Sequence, residues 1–446
     1  MYRRVPSSIA GALTVAALAS ALSCCATYTP LPLPEKSDLA TSAVPQGSPP
    51  LDMNAVGTLA VLNNPDLRAA RAKMHVAQAQ AFAAGLLPDP QFSFTFDHPT
   101  DHVSSNSDPR YPEYNAYGLG LSLDLKSLLT HSSARSAADA AYEQARLELL
   151  WQEWQIVAQA RTLYVQQTLA VAKQEFLAQA EQAYALQSSR SEHALRGGDV
   201  ALVQSGGDLA VLNDIRTQLG AAQRNALQSD QGLHALLGVQ RGAPIPLQAL
   251  GAPELPDQLA VQVAAARLPQ TRPDLRALQA GYRSEEALLR KAVLAQFPNI
   301  SVGLTHARDV SNVHTIGVGV TMTLPLFERG RGDIAIQQTT RGQLRTEYQA
   351  RLDQATGDAW QLWDATQQLQ DELRGLDERL PRLQAGVDSA QHAYAAGDVA
   401  AATYLTALNA YLSARATRFD LTQALWTDAI ALVTVLGIQI QPLTGQ

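Results

Sequence analysis

The spacing of hydrophobic positions changes along this chain, and it changes twice in the same order. Residues 55–86 and 259–295 read as helices. After each comes a stretch of period two. Phe92, Phe94 and Phe96 alternate with Gln91, Ser93 and Thr95, and Tyr117, Leu119, Leu121, Leu123 and Leu125 alternate with Gly118, Gly120, Ser122 and Asp124. In the second half Ile300, Val302 and Leu304 alternate with Ser301 and Gly303, and Ile316, Val318, Val320, Met322 and Leu324 alternate with Gly317, Gly319, Thr321 and Thr323. Each predicted strand has one oily face and one small or polar face. A strand between lipid and water has this pattern, and so does a half-buried strand of a soluble sheet.

Local identities support two copies of one unit. Asn64-Pro65-Asp66-Leu67-Arg68-Ala69 recurs as Arg272-Pro273-Asp274-Leu275-Arg276-Ala277, an offset of 208. Leu123-Asp124-Leu125 matches Leu324-Pro325-Leu326 at 201, and Gly198-Asp199-Val200 and Leu237-Gly238 match Gly397-Asp398-Val399 and Leu436-Gly437, both at 199. The fall in offset places a loop about seven residues longer in the first copy. The expected division is a leader over 1–23, an extended tether over 24–50, and a first repeat over 51–240 with strands about 91–97 and 117–125. A proline-rich linker over 241–256 then leads to a second repeat over 257–441 with strands about 299–305 and 315–326.

Each copy closes on a helical hairpin. Residues 134–196 hold no proline or glycine over 63 positions, a helix of about 90–95 Å at 1.5 Å per residue. A compact domain has a radius of only about 13–20 Å, so such an element belongs to an elongated assembly. The matching helix, residues 333–396, carries Gly375, Pro381 and Gly386, and a kink is expected near Pro381. Long alanine- and leucine-rich helices of this kind can lie together in coiled-coil fashion. Four strands cannot close a barrel, and lipid does not tolerate open edges. Two, three or four chains would supply eight, twelve or sixteen strands, and a conduit needs twelve or more, because an eight-stranded barrel is filled by its own side chains. The fold class is therefore mainly α with a small β part.

Composition narrows the function classes. Charged residues are only 17% of the 446, against 46% hydrophobic, which argues against disorder. The net charge is −7, and about −9 without Arg3 and Arg4. An acidic chain with no basic patch is not a nucleic-acid binder. The two cysteines, Cys24 and Cys25, are adjacent and build neither a disulfide framework nor a zinc site. They follow Arg3, Arg4 and an apolar run over residues 9–22, too short to span a bilayer. Ala21-Leu22-Ser23-Cys24-Cys25 resembles a bacterial lipobox, in which a cysteine is acylated after cleavage. Cys24 follows the small Ser23; Cys25 has Leu22 three residues upstream and is the alternative; an ordinary cleaved leader with incidental cysteines is a third reading. No other stretch reads as apolar enough for a transmembrane helix.

Over residues 51–441 this ordered set resembles the outer-membrane efflux (TolC-like) family of Gram-negative bacteria. The resemblance rests on the two Pro-Asp-Leu-Arg-Ala motifs, the strand starts after Pro90 and Pro298, Leu324-Pro325-Leu326-Phe327 with Gly330-Arg331, and Tyr394 to Asp398 followed by a long Ala/Leu helix ending at Leu436-Gly437. The lipobox is like that of members paired with resistance-nodulation-division (RND) pumps. The resemblance implies a homotrimer with a twelve-stranded barrel in outer-membrane lipid and an α-helical barrel crossing the periplasm, with loops at 98–115 and 305–314 facing outside. It implies passive conduction of small molecules, drug or metal, with an inner-membrane RND-type pump and a periplasmic adaptor as partners. The adaptor-docking tips would be Gly197, Gly198, Asp199 and Val200 with Gly397, Asp398 and Val399. Many members carry Asp-Val-Leu-Asp-Ala just past the tip glycine, ringing the tunnel mouth with carboxylates. Here the stretch is Thr403-Tyr404-Leu405-Thr406-Ala407, and the first copy offers Gln204 and Gly207, so Gln204, Thr403 and Thr406 are the candidate gate positions. Asp199 and Asp398 read either as N-caps of the following helices or as cation-attracting or adaptor-contacting groups.

Catalytic chemistry finds no carrier. The chain has no phosphate loop, no His-Glu-x-x-His and no Gly-x-Ser-x-Gly, and no cofactor is expected. His98, His102, His306 and His314 gather near the two predicted outer loops, where metal binding is the sharper reading and ordinary exposed histidines the plainer one. A polypeptide-export duct and a non-conducting α-hairpin scaffold are the competing functions.

Overall fold

The computed structural model describes residues 28–43, 49–100, 114–198 and 202–438; the leader, Cys24 and Cys25 lie outside them. Residues 28–39 form a unit of their own, irregular and exposed. The rest is mainly helical with one small antiparallel sheet. Its elements are α1 (Met53–Asn63), α2 (Pro65–Ala84), β1 (Gln91–Asp97), β2 (Ala116–Asp124), α3 (Leu125–Gly197) and α4 (Leu202–Leu236). Then follow α5 (Gln258–Ala266), α6 (Leu268–Thr271), α7 (Pro273–Leu294), β3 (Ile300–Arg308), β4 (His314–Met322), α8 (Arg331–Ala396) and α9 (Ala401–Leu436).

Prolines explain where expected helices divide. The stretch 55–86 becomes α1 and α2 because Asn64, which precedes Pro65, takes ψ 126° rather than a helical value. Its side chain caps α2 by accepting from the Leu67 N–H at 3.0 Å, with Pro65 in the first turn. Pro273 divides 259–295 in the same way, with Arg272 at ψ 120°, and a further break falls at Arg267, just before the short helix that carries Pro269. Pro381, by contrast, does not interrupt α8, which is helical over 66 residues, about 100 Å. A proline forfeits one backbone hydrogen bond. Here Leu376, Leu380 and Val387 are buried on the same helix, and Arg418 of α9 holds the Asp377 side chain one turn before the proline at 2.6 Å.

The strands pair in the order β1-β2-β3-β4, all antiparallel. β3 runs on to Arg308 because the turn after it is tight: the Asp309 carboxylate accepts from the Ser311 and Val313 N–H groups, both at 2.9 Å. Residues 305–308 and His314 are therefore strand, not loop. β4 stops at Met322, short of 326; the Thr323 N–H reaches Asn299 O at 3.0 Å, and Pro325 has no N–H to continue a ladder. The joints to the long helices differ. β2 passes into α3 with no residue between, and Asp124 ties the first turn through Lys126 N–H at 2.9 Å and Ser127 Oγ at 2.5 Å. Residues 323–330 separate β4 from α8.

The core sits where the helix bundle is thickest. Val56 and Ala60 of α1, Ala160, Tyr164 and Val165 of α3, Leu233 and Leu237 at the end of α4, and Trp426, Ile430 and Val433 of α9 are buried together. Trp426 donates its indole N–H to Gly251 O at 3.2 Å and Tyr164 its hydroxyl to Gln248 O at 2.7 Å, so the linker also covers this core. By length and composition α9 could cross a membrane, which corrects the sequence reading. Its apolar side chains, including Leu432 and Leu436, line the bundle core instead.

Two sequence motifs turn out to be one contact, made twice. Gly238 (φ +62°) ends the first hairpin, and a Cβ there would lie 2.8 Å from Asn63 O. Asn64, 2% exposed, donates its amide to Leu236 O at 3.0 Å. Gly437 (φ +71°) ends the second hairpin beside Thr271, just before Arg272. The chain leaves both glycines alike: Val239 N–H donates to His234 O at 3.0 Å and Ile438 N–H to Val433 O at 3.1 Å. In the second copy Arg272 donates to both carboxylate oxygens of Asp274 at 2.8 and 3.0 Å, lies 4.8 Å over the Trp151 ring, and Arg351 of α8 adds a bond at 2.8 Å.

Two outcomes follow for stability. Gly238→Ala should destabilise the protein by about 2 kcal/mol, since both the backbone conformation and the carbonyl contact oppose a Cβ. Gly242→Ala, at φ +84° with nothing within 4 Å, should cost only the conformational part, and denaturation of both variants compares them. Burial alone would raise the Asp274 pKa, but the hydrogen bonds and charges of Arg272 and Arg351 outweigh it and hold the carboxyl below its ordinary 3.8. A depressed carboxylate contributes its stability above the ordinary range and loses it as pH falls through the depressed value. Asp274→Asn should therefore cost about 3 kcal/mol at neutral pH, and the gap to wild type should narrow on acidification below about pH 4.

Candidate functional site

The sheet presents two unlike faces because paired residues share a face. On one, Phe92, Leu121, Leu304 and Val318 form a row across all four strands, with Phe94, Leu119, His306 and Ile316 beside it. The other carries Ser93, Gly120, Thr305 and Gly317 as its matching row. The oily face is bare: Phe92 is 65% exposed, Ile316 84% and Val318 72%. Among the described residues β1 and β4 each have one edge without a ladder partner. A chain that leaves such a face and two such edges uncovered is incomplete by itself.

The other candidate surface is at the hairpin ends. α3 stops at Gly197 and Gly198 takes φ +80°; Asp199 and Val200 lie outside the described residues, as does the side chain of Gln204. At the second tip Gly397 takes φ +83°, and its N–H and that of Asp398 close the helix on Tyr394 O and Ala393 O at 3.0 and 2.8 Å. Asp398 does not cap the following helix. Val399 comes next, and Ala400 holds the cap position without a side-chain bond, so Asp398 stays exposed. Thr403 and Thr406 lie exposed three residues apart in the first turns of α9, and the Thr406 hydroxyl bonds Ala402 O at 2.8 Å.

Behind these positions the hairpins meet in a cluster that the sequence reading did not single out. Tyr184 of α3, Leu212 and Ile215 of α4, and Leu405 and Leu412 of α9 are buried together. Tyr394 and Tyr404 stack with centroids 5.9 Å apart, beside a cavity of about 290 Å³ between α3, α8 and α9. Asp208 is wholly buried; one carboxylate oxygen accepts from Ser191 and the other has no partner. Burial first, then the charges of Tyr404 and Asp208, push the Tyr184 phenol up. The spacing of Ser191 and Asp208 across a turn was the available signal, but only the finished hairpin brings them together.

Among the described residues no three His, Cys, Asp or Glu side chains are placed to hold a metal ion. His98 bonds Asn115 at 2.7 Å, and His306 and His314 are strand residues stacked 5.9 Å apart; His102 lies outside the described residues.

This architecture has known counterparts. Crystal structures of CusC match with a TM-score of 0.71 at 20% identity, over 93% of this chain and 100% of that one. The outer-membrane channel OprN matches at 0.73 and 17%, over 93% and 99%. In sequence, the probable outer membrane lipoprotein SilC of Salmonella typhimurium is 26% identical over 400 residues, 85% of this chain and 84% of SilC. The pyoverdine export outer membrane protein OpmQ of Pseudomonas aeruginosa is 24% identical over 425 residues, 88% and 85%. The family model described as outer membrane efflux protein matches twice, over residues 56–239 and 265–438, and the chain therefore belongs to the outer membrane efflux protein family.

Proposed function

We propose that three copies of this chain form a passive conduit through the outer membrane, with twelve strands closing a barrel and the long helices continuing it across the periplasm. The observation that carries this reading is the bare oily face between two open strand edges. Lipid would cover the face, and neighbouring copies would satisfy the edges. The small polar face would then look into the water-filled lumen, with open space beside Gly319. Twelve strands rather than eight leave a lumen at all.

The helices supply no energy source, so the driving force would come from an inner-membrane RND-type pump, joined through a periplasmic adaptor at the tips around Gly197–Val200 and Gly397–Val399. The cargo would be a small molecule, drug or metal; the pyoverdine named for OpmQ favours this over polypeptide export. Thr403, Thr406 and Gln204 would line a periplasmic mouth that lacks a carboxylate ring at these positions. The lipobox-like segment would add an acyl anchor at Cys24, or at Cys25.

Reconstituted full-length protein should float with phospholipid vesicles, run as three chains and give single-channel conductance in planar bilayers. A water-soluble monomer, or an assembled trimer without conductance, would defeat the proposal; the latter outcome would favour the scaffold reading. For the anchor, intact mass should show acylation of wild type and Cys25→Ala but not of Cys24→Ala. Acylation retained in both single variants would remove the preference for Cys24.

A further inference from the structure

We infer that the oily face ends in a binding site for the phosphate of a lipid headgroup, centred on Arg308; this rests on the reading that the face meets lipid. Pairing places Phe96, Tyr117, Arg308 and His314 in one row across the four strands. Among the described strand residues Arg308 is the one permanently charged group on that face, and it stands at one end. From Ile300, at the opposite end of β3, to Arg308 is eight residues, about 26 Å along a strand and about 20 Å along the membrane normal at the usual tilt. An outward apolar band is about 25 Å tall, so Arg308 falls at its rim, among headgroups rather than acyl chains.

The surroundings of Arg308 suit an anion. Its guanidinium carbon lies 5.1 Å over the Tyr117 ring and 5.9 Å over Tyr114, and Nη2 donates to Asn115 O at 2.8 Å. These contacts hold the group in place without neutralising it. Its Nε is buried and has no hydrogen-bond partner among the described residues. The adjacent Asp309 spends its Oδ1 on two backbone N–H groups of its own turn. His306 and His314 stack 5.9 Å apart and approach the Tyr117 ring at 6.0 and 6.5 Å, which adds ring N–H donors beside the planar fork. An arginine fork with neighbouring donors matches a phosphate ester better than a neutral headgroup, and the apolar rows running down from it offer a track for the acyl chains. The row lies at the hairpin-turn end, opposite the end from which α3 departs. With the helices in the periplasm this is the outer leaflet, and the fitting occupant is its phosphorylated glycolipid.

The test is native mass spectrometry of full-length detergent-purified protein titrated with lipid A, with dephosphorylated lipid A and with inorganic phosphate. Wild type should retain lipid A about tenfold more tightly than the dephosphorylated form. Arg308→Gln should lose most of that preference and Arg308→Lys should keep part of it. Millimolar inorganic phosphate should not displace the lipid. Equal retention of the two lipids by wild type overturns the inference, whether or not the variants assemble; so does an assembled Arg308→Gln variant with the preference intact, or displacement by inorganic phosphate. Vesicle flotation separates the levels: wild type that floats but ignores the phosphate removes this site alone, whereas wild type that does not float removes the reading beneath it.

Discussion

A backbone N–H or C=O placed in hydrocarbon must find a partner, and much of this architecture answers to that demand. The four strands satisfy one another internally and, among the described residues, leave an unpaired edge at each end. Hydrophobic burial within one chain does not resolve this, because the oily side chains already point outward from the sheet. The helical part obeys the ordinary rule instead: Trp426, Leu237, Val433 and their neighbours are buried against one another. The sheet and the bundle thus place their apolar side chains in opposite ways, outward in one and inward in the other.

The corners also account for the doubled sequence. A Pro-Asp-Leu-Arg motif and a Leu-Gly pair lie far apart in each half, yet Asn63 and Asn64 meet Gly238, and Thr271 meets Gly437. The copies have diverged in how they secure this corner. The first relies on a buried asparagine that caps a helix and bonds a carbonyl. The second uses a carboxylate between two guanidinium groups, one of them over an indole. Neutral hydrogen bonding in one half and charge in the other make the second corner the acid-sensitive one.

Local patterning was legible wherever a side chain's role follows from its immediate neighbours. The alternation at Phe92, Phe94 and Phe96 announced a two-faced strand, and the glycines at 198, 397 and 437 announced helix ends. What escaped the sequence depends on distant partners. Arg351 reaches Asp274 across 77 residues, and Ser191 meets Asp208 only after the hairpin has closed. Proline at 381 leaves the helix unbroken, whereas at 65 and 273 the residue before it takes an extended ψ and the chain turns into a buried corner. At the tip, Asp398 carried the right chemistry for a cap, but two further residues precede the helix.

The unequal joints between sheet and helices carry a mechanical meaning. One rod is welded to its strand at Asp124, so any displacement of that rod twists the sheet with it. The other hangs from an eight-residue tether, residues 323–330, and can pivot while the strands stand still. The restraint on the hairpin built from α8 and α9 therefore lies in the bundle, where α9 is buried against α3 and α4, and not at its joint to the sheet.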